Sequence, residues 1–198
     1  MSKIKENSGV LVQGHIKIHD PESGAVFVNK RNAIHYENMS IALAESVANA
    51  GQGFISSMAF GNGGTSVDPT GIITYLTPNS TGTNASLYNQ TFTKIVDDRS
   101  VSNLDPQRNK IETRHVNGTN YTDVVVTCLL DYGEPNGQDA TDTASASDSL
   151  YVFDELGLTS YASSGTGKLL THVIFHPVQK SLNRLIQIAV SYTHLTLP

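Results

Sequence analysis

The chain has 198 residues, of which 38% are hydrophobic and only 16% charged, with a formal net charge of -5 at pH 7. That length can bury roughly 70% of its extended surface in one core without a covalent staple. The acidic balance and scattered basic residues exclude a surface that binds nucleic acid by counterion release, and a single cysteine excludes both an intrachain disulfide and a multi-cysteine metal site.

Residues 1–8 are polar and charged and read as a flexible N-terminal arm. They lack the apolar core of a signal peptide, and no apolar run reaches the ~18 residues of a membrane span, so synthesis in a cytosol and no membrane partner are expected. In residues 9–20, GVLVQGHIKIHD, alternation puts Val10, Val12, Gly14, Ile16 and Ile18 on one face and Gln13, His15, Lys17 and His19 on the other. Asp20, Pro21, Glu22, Ser23 and Gly24 supply turn chemistry, and residues 25–28 should pair back as a hairpin partner. Lys30 and Arg31, the one basic pair, read as a solvated loop.

Asn38 reads as the N-cap of one helix over residues 39–50, with Met39, Leu43 and Val47 as its apolar stripe and Gly51 as its stop. Residues 54–60 suit a strand, followed by a flexible loop at Gly61, Asn62, Gly63 and Gly64 whose residues tolerate positive φ. That loop meets neither GxGxxG nor the P-loop pattern. Further strands are expected at 72–76, 88–96, 110–116 and 121–132, the last two joined by Asn117, Gly118, Thr119 and Asn120. Cys128, inside VVVTCLLDY, reads as a small buried hydrophobe. Two long loops, 97–109 and the acidic 133–149, suit segments that order against neighbours. Three short runs, 156–158, 169–175 and 185–188, then read as consecutive antiparallel strands, with Pro177 just beyond the middle one.

The last nine residues, VSYTHLTLP (190–198), match the in-frame translation of a transposon-based sequencing adapter and are set aside as an artefact. On that reading the natural chain is cut near Ala189, and residues 9–189 form a single domain. The whole is expected to be mainly β, an antiparallel, jelly-roll-like β-sandwich with one short α-helix.

Candidate chemistry is sparse. His15 and His19, like His172 and His176, are spaced i, i+4, which on a strand parts the rings by roughly 13 Å. A metal would need one histidine from each segment. Glu134, Asp139, Asp142 and Asp148 could hold Ca²⁺ through loop carboxylates, although EF-hand spacing is absent. There is no GxSxG elbow, and Cys128 is no activated thiol. No catalytic, cofactor-binding or metal-binding residue is therefore assigned, and the protein is expected not to be an enzyme. Converging carboxylates or histidines in one pocket would be needed to read it as a hydrolase.

Two blocks carry a resemblance: MAFGNGGTSVDPTG at residues 58–71, and a C-terminal set of ELGL (155–158), LLTHVIFHPVQKS (169–181) and RLIQI (184–188). They resemble a broad family of tailed-bacteriophage virion structural proteins, with Phe175, Pro177 and Lys180 at the positions of that family's Phe-x-Pro-x-x-Lys segment. The resemblance implies a homo-oligomeric neck, tail or baseplate component that assembles with other virion proteins. It implies location in the virion after synthesis in the bacterial host. The rival reading is a carbohydrate-binding module for host-surface glycans or a capsid decoration, with Tyr75, Tyr88, Tyr121, Tyr132, Tyr151 and Tyr161 as platforms.

Overall fold

The computed structural model describes residues 9–135, 150–163 and 166–197. Its elements run β1 (Gly9–His19), β2 (Val26–Ile34), α1 (Tyr36–Val47), β3 (Ile55–Gly61), β4 (Thr65–Val67), β5 (Ile73–Tyr75), β6 (Gln90–Ile95), β7 (Lys110–His115), β8 (Tyr121–Leu130), β9 (Leu150–Ser160), β10 (Thr171–Ser181) and β11 (Ile186–Leu197). Nine strands form one antiparallel sheet in the order β6-β3-β9-β10-β2-β1-β11-β8-β7, while β4 and β5 make a separate hairpin. The protein is mainly β: a curled nine-stranded sheet, or half-barrel, with one short helix.

The sheet has two arms. One, β6-β3-β9-β10, carries a register shift in every strand pair. The other, β2-β1-β11-β8-β7, holds long uninterrupted ladders, from Gly9↔Leu197 to His19↔Gln187 and from Ile186↔Leu130 to Leu195↔Tyr121, and its one register shift lies at the end of the β1–β2 pair, between Ile18 and His19. The arms meet at a narrow seam, where β10 pairs with β2 only at Thr171↔Ile34 and His172↔Ala33.

Curling lets both arms bury side chains in one core. Ile16, Ile18, Val126, Ile188 and Val190 come from one arm and Met58, Phe60, Phe153, Leu156 and Phe175 from the other. Full burial of each such side chain stabilises the fold by about 1.5–3 kcal/mol. The aromatic arm interlocks through edge contacts, with Phe153 at 5.4 Å from Phe60 and 5.7 Å from Phe175 between ring centroids. Across the open side of the curl, Lys94 of β6 forms an ion pair with Glu134, which follows β8.

The alternation expected of residues 10–18 holds from Val12 onward: Val12, Gly14, Ile16 and Ile18 are buried and Gln13, His15 and Lys17 exposed, whereas Val10, near the start of the strand, is exposed. The turn at Asp20 also forms, its Oδ1 accepting the amides of Glu22 and Ser23 at 2.8 and 3.2 Å. Lys30 and Arg31 lie within β2 instead of a loop, exposed on the sheet.

The helix begins three residues earlier than expected, because His35 and not Asn38 is the cap: its Nδ1 accepts the Asn38 amide at 3.2 Å. Asn38 is buried, and its side-chain amide donates to the Leu169 carbonyl at 2.9 Å. The buried face is Asn38, Met39 and Ala42, and Val47 is solvent-exposed. Pro177 lies inside β10, not beyond it, in the register shift between Ile174 and Val178 where no ladder bond is required of it. Finally, β11 runs through the stretch set aside on sequence grounds. Residues 190–197 occupy a central position between β1 and β8, and the Tyr192 hydroxyl donates to Thr171 Oγ1 at 3.0 Å.

Candidate functional site

Two adjacent carboxylates organise the loops at the aromatic arm. Phe153 and Leu156 both join the core although three residues apart, so strand alternation breaks at Asp154 and Glu155. The break coincides with the bulge in β10, where Ile174 pairs with Glu155 and Val178 with Phe153. Glu155 is fully buried, and a buried carboxylate persists only when its lone pairs are filled. Its Oε1 accepts the amides of Gly63 at 3.0 Å and Asn89 at 2.8 Å, and its Oε2 accepts the Tyr88 amide and His172 Nε2, each at 2.9 Å. Asp154 accepts the Gly64 and Thr65 amides, both at 2.9 Å, and the Thr65 hydroxyl.

His172 extends the set. Its Nδ1 accepts the Asn79 amide at 2.8 Å, which leaves the proton on Nε2, aimed at Glu155. Burial opposes ionisation of Glu155, yet the donors from His172, Asn89, Tyr88 and Gly63 together outweigh it and hold the carboxyl below its ordinary value. With both oxygens filled and no exposure, the pair cannot meet a substrate. Together with Asp154 it fixes the loop segments at 63–65 and 88–89 to β9 and that at Asn79 to β10.

This explains the glycines differently from the sequence. Gly61, Gly63 and Gly64 are not at positive φ. A Cβ on Gly61 would stand 2.5 Å from both Glu155 Oε1 and the Asn89 carbonyl oxygen. Close approach to the carboxylate, not backbone freedom, requires glycine there. Asp154 and Glu155 were legible in principle, since two adjacent acids inside the apolar run YVFDELGL must find buried donors.

The other candidates are dispersed. His15 is exposed on β1, and His19 stands four residues along the same strand, its pKa lowered by burial and by Lys17 against the pull of Asp20. His172 is buried, whereas His176 is exposed and its Nδ1 lies 3.3 Å from the Tyr75 hydroxyl. Among the described residues no three His, Cys, Asp or Glu side chains gather as a metal site. Glu134 is engaged with Lys94 and accepts the Asp131 amide at 2.9 Å, while Asp139, Asp142 and Asp148 lie outside the described residues. Burial pushes the Cys128 thiol up to about 12, consistent with an inert hydrophobe.

Of the tyrosines, Tyr151 is buried against Phe153, while the Tyr88 and Tyr132 hydroxyls are committed to the Thr77 carbonyl and Glu22. Tyr75 and Tyr161 remain substantially exposed. Tyr161 borders a cleft of about 230 Å³ on the outer surface of the aromatic arm, whose lining includes Ser57, Gln90, Thr93 and Thr159. Ser57 and Thr159 hydroxyls lie 2.7 Å apart, and Gln90 Nε2 donates to Thr93 Oγ1 at 2.8 Å.

No protein-family model, no curated protein and no solved structure matches the chain.

Proposed function

We propose that the chain is a virion structural protein of a tailed bacteriophage, an oligomeric neck, tail or baseplate component whose two sheet arms act as a jelly-roll-like sandwich. Its role is geometric: it joins copies of itself and other virion proteins and needs neither nucleic acid nor a membrane. The observation that carries this reading is a loop made rigid while presenting apolar side chains to solvent. Val101 is 100% and Leu104 97% exposed, in the 97–109 segment. Yet that segment is tied internally: Asn103 Nδ2 donates to the Asp97 and Asn109 carbonyls at 3.2 and 2.9 Å, and Asn109 Oδ1 accepts the Leu129 amide at 2.8 Å. A loop that spends hydrogen bonds on holding two hydrophobes in water is shaped for a partner.

The β4–β5 hairpin repeats the design. Asp154 fixes its base, Asp68 Oδ1 closes its tip by accepting the Thr70 and Ile72 amides at 2.8 and 3.0 Å, and Val67 and Ile72 are exposed. The two resembling blocks also touch, since the Gly63 amide of one is held by Glu155, the first residue of the other. In a closed symmetric assembly such modest contacts repeat at every interface. Native mass spectrometry of the full chain tests the reading. A defined oligomer that dissociates in the Val101→Asp, Leu104→Asp double variant supports it, and a monomer at every concentration overturns it.

A further inference from the structure

We propose that the cleft bordered by Tyr161 binds one neutral pyranose unit of a saccharide, a function separate from assembly. Sheet surfaces are ordinarily flat, and this one is hollowed because the chain returns beside the end of β9: Ser160 N donates to the Lys168 carbonyl at 2.9 Å, and Thr159 bridges to Leu169. The hollow lies on the outward side of β3, β6 and β9, away from the core.

Its lining selects the ligand class. Ser57, Gln90, Thr93 and Thr159 offer hydroxyls and a carboxamide, and among the described residues no carboxylate, ammonium or guanidinium lines it. A charged ligand would find no counter-charge there, whereas a sugar hydroxyl finds groups that both donate and accept. The side-chain pairs Ser57–Thr159 and Gln90–Thr93 orient those dipoles in advance and leave each hydroxyl with unused lone pairs. The volume, about 230 Å³, falls below the ~300–1,000 Å³ of pockets for drug-sized ligands, which suits one ring.

Tyr161 supplies the apolar complement to the C–H face of a sugar. Its ring stacks on Phe54 with centroids 4.9 Å apart and planes 7° from parallel, and Arg99 lies over Phe54 at 5.2 Å. The backbone locks the same place, with Tyr161 N donating to the Phe54 carbonyl at 2.7 Å and Gly53 N to the Tyr161 carbonyl at 3.2 Å. An aromatic wall held this way loses little freedom when a ligand arrives.

The test is saturation-transfer difference NMR on the full chain with the methyl glycosides of glucose, galactose and N-acetylglucosamine, and methyl glucuronide as the charged control. The expected result is transfer from the protein to at least one neutral glycoside and not to the glucuronide. Binding should weaken about five- to tenfold in Tyr161→Ala and vanish in Thr93→Arg, whose exposed position fills the cleft without touching the core. No transfer to any neutral glycoside, or transfer unchanged in both variants, overturns the proposal. Neither result depends on the oligomeric state.

Discussion

The two arms of the sheet solve the same packing problem by opposite means. The β2-β1-β11-β8-β7 arm is regular and largely aliphatic, with long ladders and short polar turns. The β6-β3-β9-β10 arm is aromatic and bulged, and it carries the buried carboxylates, the anchored glycine loop and the cleft. Each bulge spends ladder hydrogen bonds to re-aim side chains. The lesson is a division of labour: regularity supplies stability on one side, and irregularity, stabilised by Asp154 and Glu155, builds the surfaces on the other.

The comparison is broken most severely by removing the regular arm's middle. Ending the chain at Ala189 deletes the C-terminal two-thirds of β11, which pairs with both neighbours and buries Val190 and Tyr192. Loss of cooperative thermal unfolding by circular dichroism is expected, because the deficit rivals the ~5–15 kcal/mol that holds a whole domain. A cooperative melt for that shortened chain would show the adapter-like stretch to be dispensable. In the irregular arm, Glu155→Ala strands three amides and His172, and urea unfolding should register a loss of about 3–5 kcal/mol. Glu155→Gln keeps the shape but not the charge and should lose about 1–3 kcal/mol.

Gly61→Ala comes next, at about 1–3 kcal/mol, since its Cβ would press on backbone as well as on the carboxylate. The pH dependence is subtler. Glu155 is held below its ordinary 4.5, so its stabilising contribution is complete above that value and is lost as pH falls through the lower folded one. The wild-type melting temperature should therefore fall on acidification below about 4.5 more steeply than that of Glu155→Gln. Smallest of all, Val101→Asp should change stability by no more than about 0.5 kcal/mol. A larger loss would mean that loop 97–109 serves the fold and not a neighbour.

The regular arm is the part most legible in the sequence. Residues 12–18 alternate cleanly because one face of β1 meets core and the other meets water, and the strands at 110–116 and 121–132 appear nearly where the pattern puts them. Legibility fails where side chains override local preference. Asn38 is a good capping residue, but tertiary demand from Leu169 takes its side chain and His35 caps instead. Gly61 and Gly63 advertise flexibility, while their cause is close approach to the Glu155 carboxylate and to the chain at Tyr88 and Asn89, which no local window contains. The cleft was equally hidden, because Ser57, Thr93 and Thr159 are ordinary outward strand residues until three strands bring them together.

The seam between the arms has a mechanical meaning. Backbone hydrogen bonds resist bending of a sheet across its strands, and at β2–β10 two residue pairs and the adjoining His35–Leu170 bond supply that resistance. Across the seam the arms are held chiefly by the side chains of their shared core, which can slide by small amounts without severing a ladder. The curl is thus the softest degree of freedom of the sheet. A sheet with such a joint can adjust its curvature while each arm keeps its own shape.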